Sequence, residues 1–162
     1  MNKKLLIVGG TGFIGENLVV NASNNDFEIV VLSLNKPLDE NTIKGVKYIQ
    51  FDLSNKKLID KDLIGDSFDY VINLLGYIDH QNFQDGGREV IENHFGGLLN
   101  LLSILDWSKL KKFVQVGTSD EYGSNHAPQF EDMSELPISP YSLSRVAANQ
   151  LLQMLNRTEN FP

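Results

Sequence analysis

A chain of 162 residues, 41% hydrophobic and 22% charged, suits one soluble globular domain with a real core, and hardly two. A formal net charge of -7 argues against nonspecific nucleic-acid binding, which needs a positive surface. Cysteine is absent, which excludes disulfides and thiol chemistry and fits the cytoplasm; His80, His94 and His126 show no metal-ligand spacing, and no apolar run reaches membrane-spanning length.

Lys4–Val8 is an apolar run suited to the centre of a parallel sheet covered on both faces. Because this strand starts so early, the first residues are not expected to be a cleaved signal peptide. It runs into GGTGFIG, with Gly9, Gly12 and Gly15 at three-residue intervals, and a helix is expected from about Phe13 to Asn24. Strand, glycine turn and helix together make a nucleotide-binding unit. Gly9 allows the tight turn, Gly12 lets backbone approach a pyrophosphate at the helix N-terminus, and Gly15 lets the helix lie close to the strand. The spacing is GxxGxxG rather than GxGxxG. The alternative is a glycine-rich structural turn.

Phe27–Leu34 reads as a second strand. At its end, an acidic residue would accept from the adenosine ribose hydroxyls, and a basic neighbourhood would tolerate a 2′-phosphate. The sequence there is Ser33, Leu34, Asn35, Lys36, with no carboxylate until Asp39, which leans towards NADP over NAD. Val46–Phe51 is a short third strand, with Asp52 at its end as an acceptor for the adenine amino group or a turn residue. A weak helix follows around Lys56–Ile64, then a fourth strand, Phe68–Leu75, ending in Gly76. The polar stretch 77–87 is a loop above the sheet, where Tyr77 and Asp79 sit on a substrate or nicotinamide path. A long helix from about Arg88 to Trp107 carries Val90, Ile91, Phe95, Leu98, Leu99, Leu101, Leu102 and Leu105 at helical spacing. His80 and His94 read as loop and helix-surface residues. Lys112–Gly117 is a fifth strand, Ser119–Pro140 a long polar loop with three prolines, and Tyr141 to about Asn156 the last helix.

Strands alternating with helices predict a doubly wound parallel α/β sheet of order 3-2-1-4-5, with its binding crevice beyond the C-terminal ends of strands one and four. Tyr141 and Arg145 fall four apart on one helix face, so a guanidinium near the phenol would favour the phenolate. Thr118 and Ser119 can donate hydrogen bonds to a substrate oxygen. These are the parts of a carbonyl–alcohol redox site. The alternative has Tyr141 packing at a helix start and Arg145 in solvent. Asp120 and Glu121 lie beside the hydroxyl pair, either as proton-moving carboxylates or as an acidic turn facing water.

Five segments in this order, GGTGFIG (9–15), FDLSN (51–55), ENHFGGLLNLL (92–102), VGTSDEYG (116–123) and YSLSR (141–145), resemble the NAD-dependent epimerase/dehydratase family of the extended short-chain dehydrogenase/reductase superfamily, which acts on nucleotide sugars. The resemblance implies Tyr141 as catalytic acid/base, Thr118 as hydroxyl donor with Ser119 as a substitute, and Arg145 in the position of the family lysine. It implies a cofactor site of Gly9, Gly12, Phe13, Ile14, Gly15, Ser33, Lys36, Asp52, Leu53, Leu75, Gly76, Asn93, Tyr141 and Arg145. The expected cofactor is NAD or NADP, and no metal is expected. Two features depart from the family. Arg145 is bulkier than lysine, and family members are about twice this length. Residues 1–162 are therefore expected to be one NAD(P)-binding Rossmann-like domain, the N-terminal part of a longer architecture, without the usual last strands and substrate domain.

The expected function is the NAD(P)-binding portion of a nucleotide-sugar epimerase or 4-keto-sugar reductase, with hydride transfer at sugar C4. The alternatives are a catalytically silent dinucleotide-binding module and a 4,6-dehydratase; the acidic pair at 120–121, displaced by one from the dehydratase pattern, weakens the last. The expected partners are a nucleotide sugar, in a full-length form, and a second copy of the chain through helices 88–107 and 141–156. Nucleic acid and membrane are not expected partners.

Overall fold

The structure, a computed structural model, describes residues 3–55, 64 and 67–162. Apart from Ile64, the helix expected around Lys56–Ile64 falls outside the described residues. The chain divides into two compact units: Met1–Leu75 with Asn100–Val116 and Pro162, and Gly76–Leu99 with Gly117–Phe161.

The first unit holds the sheet. Among the described residues it has five strands, β1 (Lys3–Val8), β2 (Phe27–Ser33), β3 (Lys47–Gln50), β4 (Tyr70–Asn73) and β5 (Lys112–Gln115), all parallel in the order β3-β2-β1-β4-β5. β1 lies at the centre because Leu5, Leu6, Ile7 and Val8 need cover on both faces, and each is at most 3% exposed. Its register pairs Ile7 with Val31 of β2 and with Ile72 of β4. Leu5, Ile7, Ile29 and Val31 alternate onto the face where Val19 and Ala22 of α1 (Phe13–Ser23) close a core. At the opposite ends of the strands, Asp69 accepts from the Lys4 backbone N–H at 2.8 Å and pairs with Lys111 Nζ at 2.7 Å. The Lys111 hydrogen bond is the main cause holding the Asp69 carboxyl below the ordinary carboxylate range. On β5, the backbone N–H of Phe113 donates to the carbonyl of Pro162 at 3.0 Å.

The second unit is helical. The expected long helix is real but not uniform. α2 (Gly87–Ile91) passes into a π-helical turn at Glu92–Gly96, and α3 (Gly97–Ile104) continues from it, its residues from Asn100 on belonging to the first unit and its end falling short of the expected Trp107. The last helix, α4 (Pro140–Glu159), extends the expected span at both ends. Ser139 caps it through a reciprocal pair with Ser142, and Pro140 occupies the first turn, where a missing N–H costs nothing. The left-handed Asn160 ends it.

Candidate functional site

The glycine turn follows β1 directly. Gly9 has φ +77°, and a Cβ there would lie 3.1 Å from the Leu74 carbonyl oxygen, so the turn needs glycine on two counts. Gly15 permits the close helix approach expected of it, because a Cβ would meet the Gly9 carbonyl oxygen and lie 2.6 Å from the Gly10 Cα. Gly12 is the N-cap of α1, which has no side-chain capping bond, and the next two residues, Phe13 and Ile14, stand 88% and 59% exposed. Among the described residues no side chain caps the helix N-terminus, and its first residues face solvent, the arrangement an anion takes. This first unit fits the phosphates of a dinucleotide.

Other expected contacts in this unit have second duties. Ser33 is 6% exposed, and its Oγ accepts from the Thr11 N–H at 3.3 Å, bracing the glycine turn. Thr11 Oγ1 in turn donates to the Asn35 carbonyl at 3.4 Å. Lys36 is exposed. Asp52 Oδ1 caps its own turn, accepting from the Ser54 N–H (2.9 Å) and Oγ (2.6 Å). Leu53 is buried, and its carbonyl accepts from Asn100 Nδ2 at 2.7 Å. The Leu75 N–H donates to Oδ1 of buried Asn73 at 3.1 Å.

The second unit gathers the remaining candidates around Tyr141. Its ring is 4% exposed, with the Arg145 guanidinium carbon 5.4 Å from the ring centroid. Arg145 is itself only 8% exposed, so it is not a surface residue. Its Nη2 comes so close to Gly76 (φ +126°) that a Cβ there would collide with it. The His80 ring lies 5.6 Å from Tyr141, tilted by 33°, and its Nε2 stands 3.3 Å from Asp120 Oδ2. Asn93, in the π turn, donates to the Tyr77 hydroxyl at 3.0 Å.

Thr118 caps the short turn Ser119–Tyr122, its Oγ1 accepting from the Asp120 N–H at 3.3 Å, while Ser119 is exposed. Glu121 is 7% exposed. Its Oε1 accepts from the Thr118 N–H at 2.8 Å and its Oε2 from Asn149 Nδ2 at 2.6 Å. Of the two acidic neighbours, only Asp120 has an aspect open to solvent.

One expectation fails. His94 is not on the helix surface; it is 4% exposed beneath Tyr141, with ring centroids 5.4 Å apart. Desolvation first, and the Arg145 charge second, push its pKa down to about 4, against a small opposing pull from Asp79. The signal was available in the spacing, since His94 lies four residues after Val90 and four before Leu98, on the apolar stripe. Ser144, which bonds to His94 at 3.3 Å, and the Glu121–Asn149 clamp carry no comparable pattern.

The model of the NAD dependent epimerase/dehydratase family matches residues 5–162. The chain belongs to this family. It is similar to a dTDP-D-glucose 4,6-dehydratase of Dictyostelium discoideum, 29% identical over 99% of this chain and 42% of that protein. It is also similar to the bifunctional UDP-glucose 4-epimerase and UDP-xylose 4-epimerase 1 of Pisum sativum, 23% identical over 98% of this chain and 49% of that protein. Among solved structures, the UDP-Glc/GlcNAc 4-epimerase of Campylobacter jejuni superposes with a TM-score of 0.85 at 24% identity, covering 98% of this chain and 51% of that one. That likeness is one of fold. The chain spans about half the length of the curated relatives it matches. No helix among the described residues is long and apolar enough to cross a membrane.

Proposed function

We propose that this chain is the dinucleotide-binding part of a nucleotide-sugar epimerase or 4-keto-sugar reductase. The observation that carries the reading is the enclosure of Tyr141 in the first turn of α4, between the Arg145 guanidinium and two imidazoles. Phosphates bind the glycine turn and the N-terminus of α1 through Gly12, Phe13 and Ile14 backbone. Held there, an oxidised nicotinamide would supply a hydride acceptor for sugar C4 in an epimerase, and a reduced one a hydride donor to the C4 carbonyl in a reductase. Tyr141 takes the hydroxyl proton as the carbonyl forms and gives one back on reduction; Thr118, or Ser119, donates a hydrogen bond to the same oxygen; Arg145 supplies the positive charge beside the phenol.

Dehydration needs carboxylates free to move protons at neighbouring carbons. Glu121 has both oxygens hydrogen-bonded internally and Asp120 faces His80, which favours epimerisation or reduction. NADP is the preferred dinucleotide, because the end of β2 offers Ser33, Asn35 and exposed Lys36 with no carboxylate to repel a 2′-phosphate. Calorimetry with NADP+ and NAD+ tests the binding half of this proposal. Assay of a form carrying the remainder of the family's length, against a panel of nucleotide sugars, tests the chemistry. Dinucleotide binding without turnover in that form would favour a catalytically silent module, the reading that the bulk of Arg145 supports.

A further inference from the structure

The His94 imidazole is bonded at both nitrogens, and the partners fix its state. Nε2 receives the backbone N–H of Tyr77 at 3.2 Å. A backbone N–H can only donate, so Nε2 must present its lone pair and the proton must sit on Nδ1. Nδ1 faces Ser144 Oγ at 3.3 Å, and that hydroxyl donates to the Tyr141 carbonyl at 2.6 Å. The hydrogen bonds therefore run one way, from the 76–82 loop through the imidazole and Ser144 to the backbone of Tyr141. The ring faces work in parallel: His94 meets Tyr77 edge-on at 5.0 Å and Tyr141 edge-on at 5.4 Å. Beside Nε2, a Cβ on Gly76 would lie 3.0 Å away, in the space that the Arg145 guanidinium fills.

We propose that His94 is a positioning residue for the Tyr141–Arg145 pair, acting as a neutral Nδ1–H imidazole that ties the Tyr77 loop to the first turn of α4 through Ser144. The inference rests on the proposed role of Tyr141. An imidazolium could not take this place, because its Nε2–H would oppose the Tyr77 N–H and its charge would stand beside Arg145. Asp79 and the Tyr77 and Tyr141 rings are the other titratable groups facing it, with Ser144 the neutral contact from α4.

The test uses the full chain. Nitrogen-15 correlation of the histidine rings at about pH 7 should show His94 neutral with its proton on Nδ1. His94→Phe keeps a ring and removes both nitrogens. It should move the 13Cζ resonance of Tyr141, assigned by its loss in Tyr141→Phe, and weaken NADP+ binding about tenfold as the Tyr141–Arg145 pair loses its position. His94→Gln, whose amide carries one acceptor and one donor, should restore most of both. Ser144→Ala, which removes an oxygen and no bulk, should reproduce the 13Cζ shift if the phenylalanine variant does not fold. A proton on Nε2, or a Tyr141 resonance unmoved by both His94→Phe and Ser144→Ala, overturns the inference. Failure of the unmodified chain to bind either dinucleotide would instead count against the proposed function, and the tautomer and the Tyr141 resonance would still decide the role of His94.

Discussion

Acidification from about pH 7 towards 4 should destabilise this chain through His94. In the unfolded chain the imidazole takes a proton at its ordinary 6.5, whereas in the folded chain it resists down to about 4. Between those values the unfolded state binds more protons, so stability is complete above pH 6.5 and drains away as the pH falls towards 4. At about 1.4 kcal/mol per pH unit the difference is worth roughly 3 kcal/mol, a large fraction of a domain's usual stability. Denaturant unfolding followed by circular dichroism, repeated across the window from about pH 7 to 4.5, measures it directly. The control is His94→Gln, which cannot titrate and should show a much flatter profile over the same range. A glutamine variant that loses stability in parallel with the unmodified chain would refute the reasoning. The depressed carboxyls of Asp69 and Asp106 act lower, since their contribution is present above the ordinary 3.8 and is lost only below it.

Gly15→Ala should abolish dinucleotide binding in calorimetry and destabilise the chain by about 1–3 kcal/mol, because the new methyl meets backbone atoms of residues 9 and 10 that have no rotamer to escape into. Glu121→Gln sets an amide N–H₂ against a donor, either the Thr118 N–H or Asn149 Nδ2; a loss of about 1–3 kcal/mol in denaturant unfolding is expected. Lys36→Glu should weaken NADP+ about tenfold or more while leaving NAD+ nearly unchanged, read by calorimetry with each dinucleotide. Light scattering should report a dimer whose association weakens in Leu143→Lys, since Leu99, Leu143 and Met154 leave 38–49% of their surface exposed on the helices.

The sheet was legible because its signals are local. Each strand is an apolar run bounded by polar or glycine residues, and β2 to β5 all lie inside their expected spans, shortened where hydrogen-bond pairing stops before hydrophobicity does, while β1 begins one residue early at Lys3. The strand order followed from alternation with helices and from the glycine turn after β1. Spacing alone could place Tyr141 and Arg145 on one face, but it could not say whether that face is wet. Burial of Arg145 depends on the absent side chain of Gly76, sixty-nine positions away in sequence, and no periodicity reports such a contact. The same holds for Glu121. Its sequence neighbours make it look like half of an acidic pair, and only its distance to Asn149 shows a carboxylate held inside the unit. His94 was the one miss that the pattern itself could have prevented.

Between Glu92 and Gly96 the helix takes one residue more per turn than an α-helix, and the extra residue is absorbed within that turn. Asn93 and His94 lie within this turn, so their bearings on Tyr77 and Ser144 depend on its length as well as on their identity. Losing a single codon there would restore regular winding with the flanking halves nearly in phase, because five residues of a π turn sweep about the same angle as four of an α-helix; the residues inside the turn, Asn93 and His94 among them, are the ones re-aimed. Chain length at this turn is thus a heritable variable of the tyrosine's surroundings. Relatives aligned by residue type alone will be compared out of phase wherever the turn is wound differently.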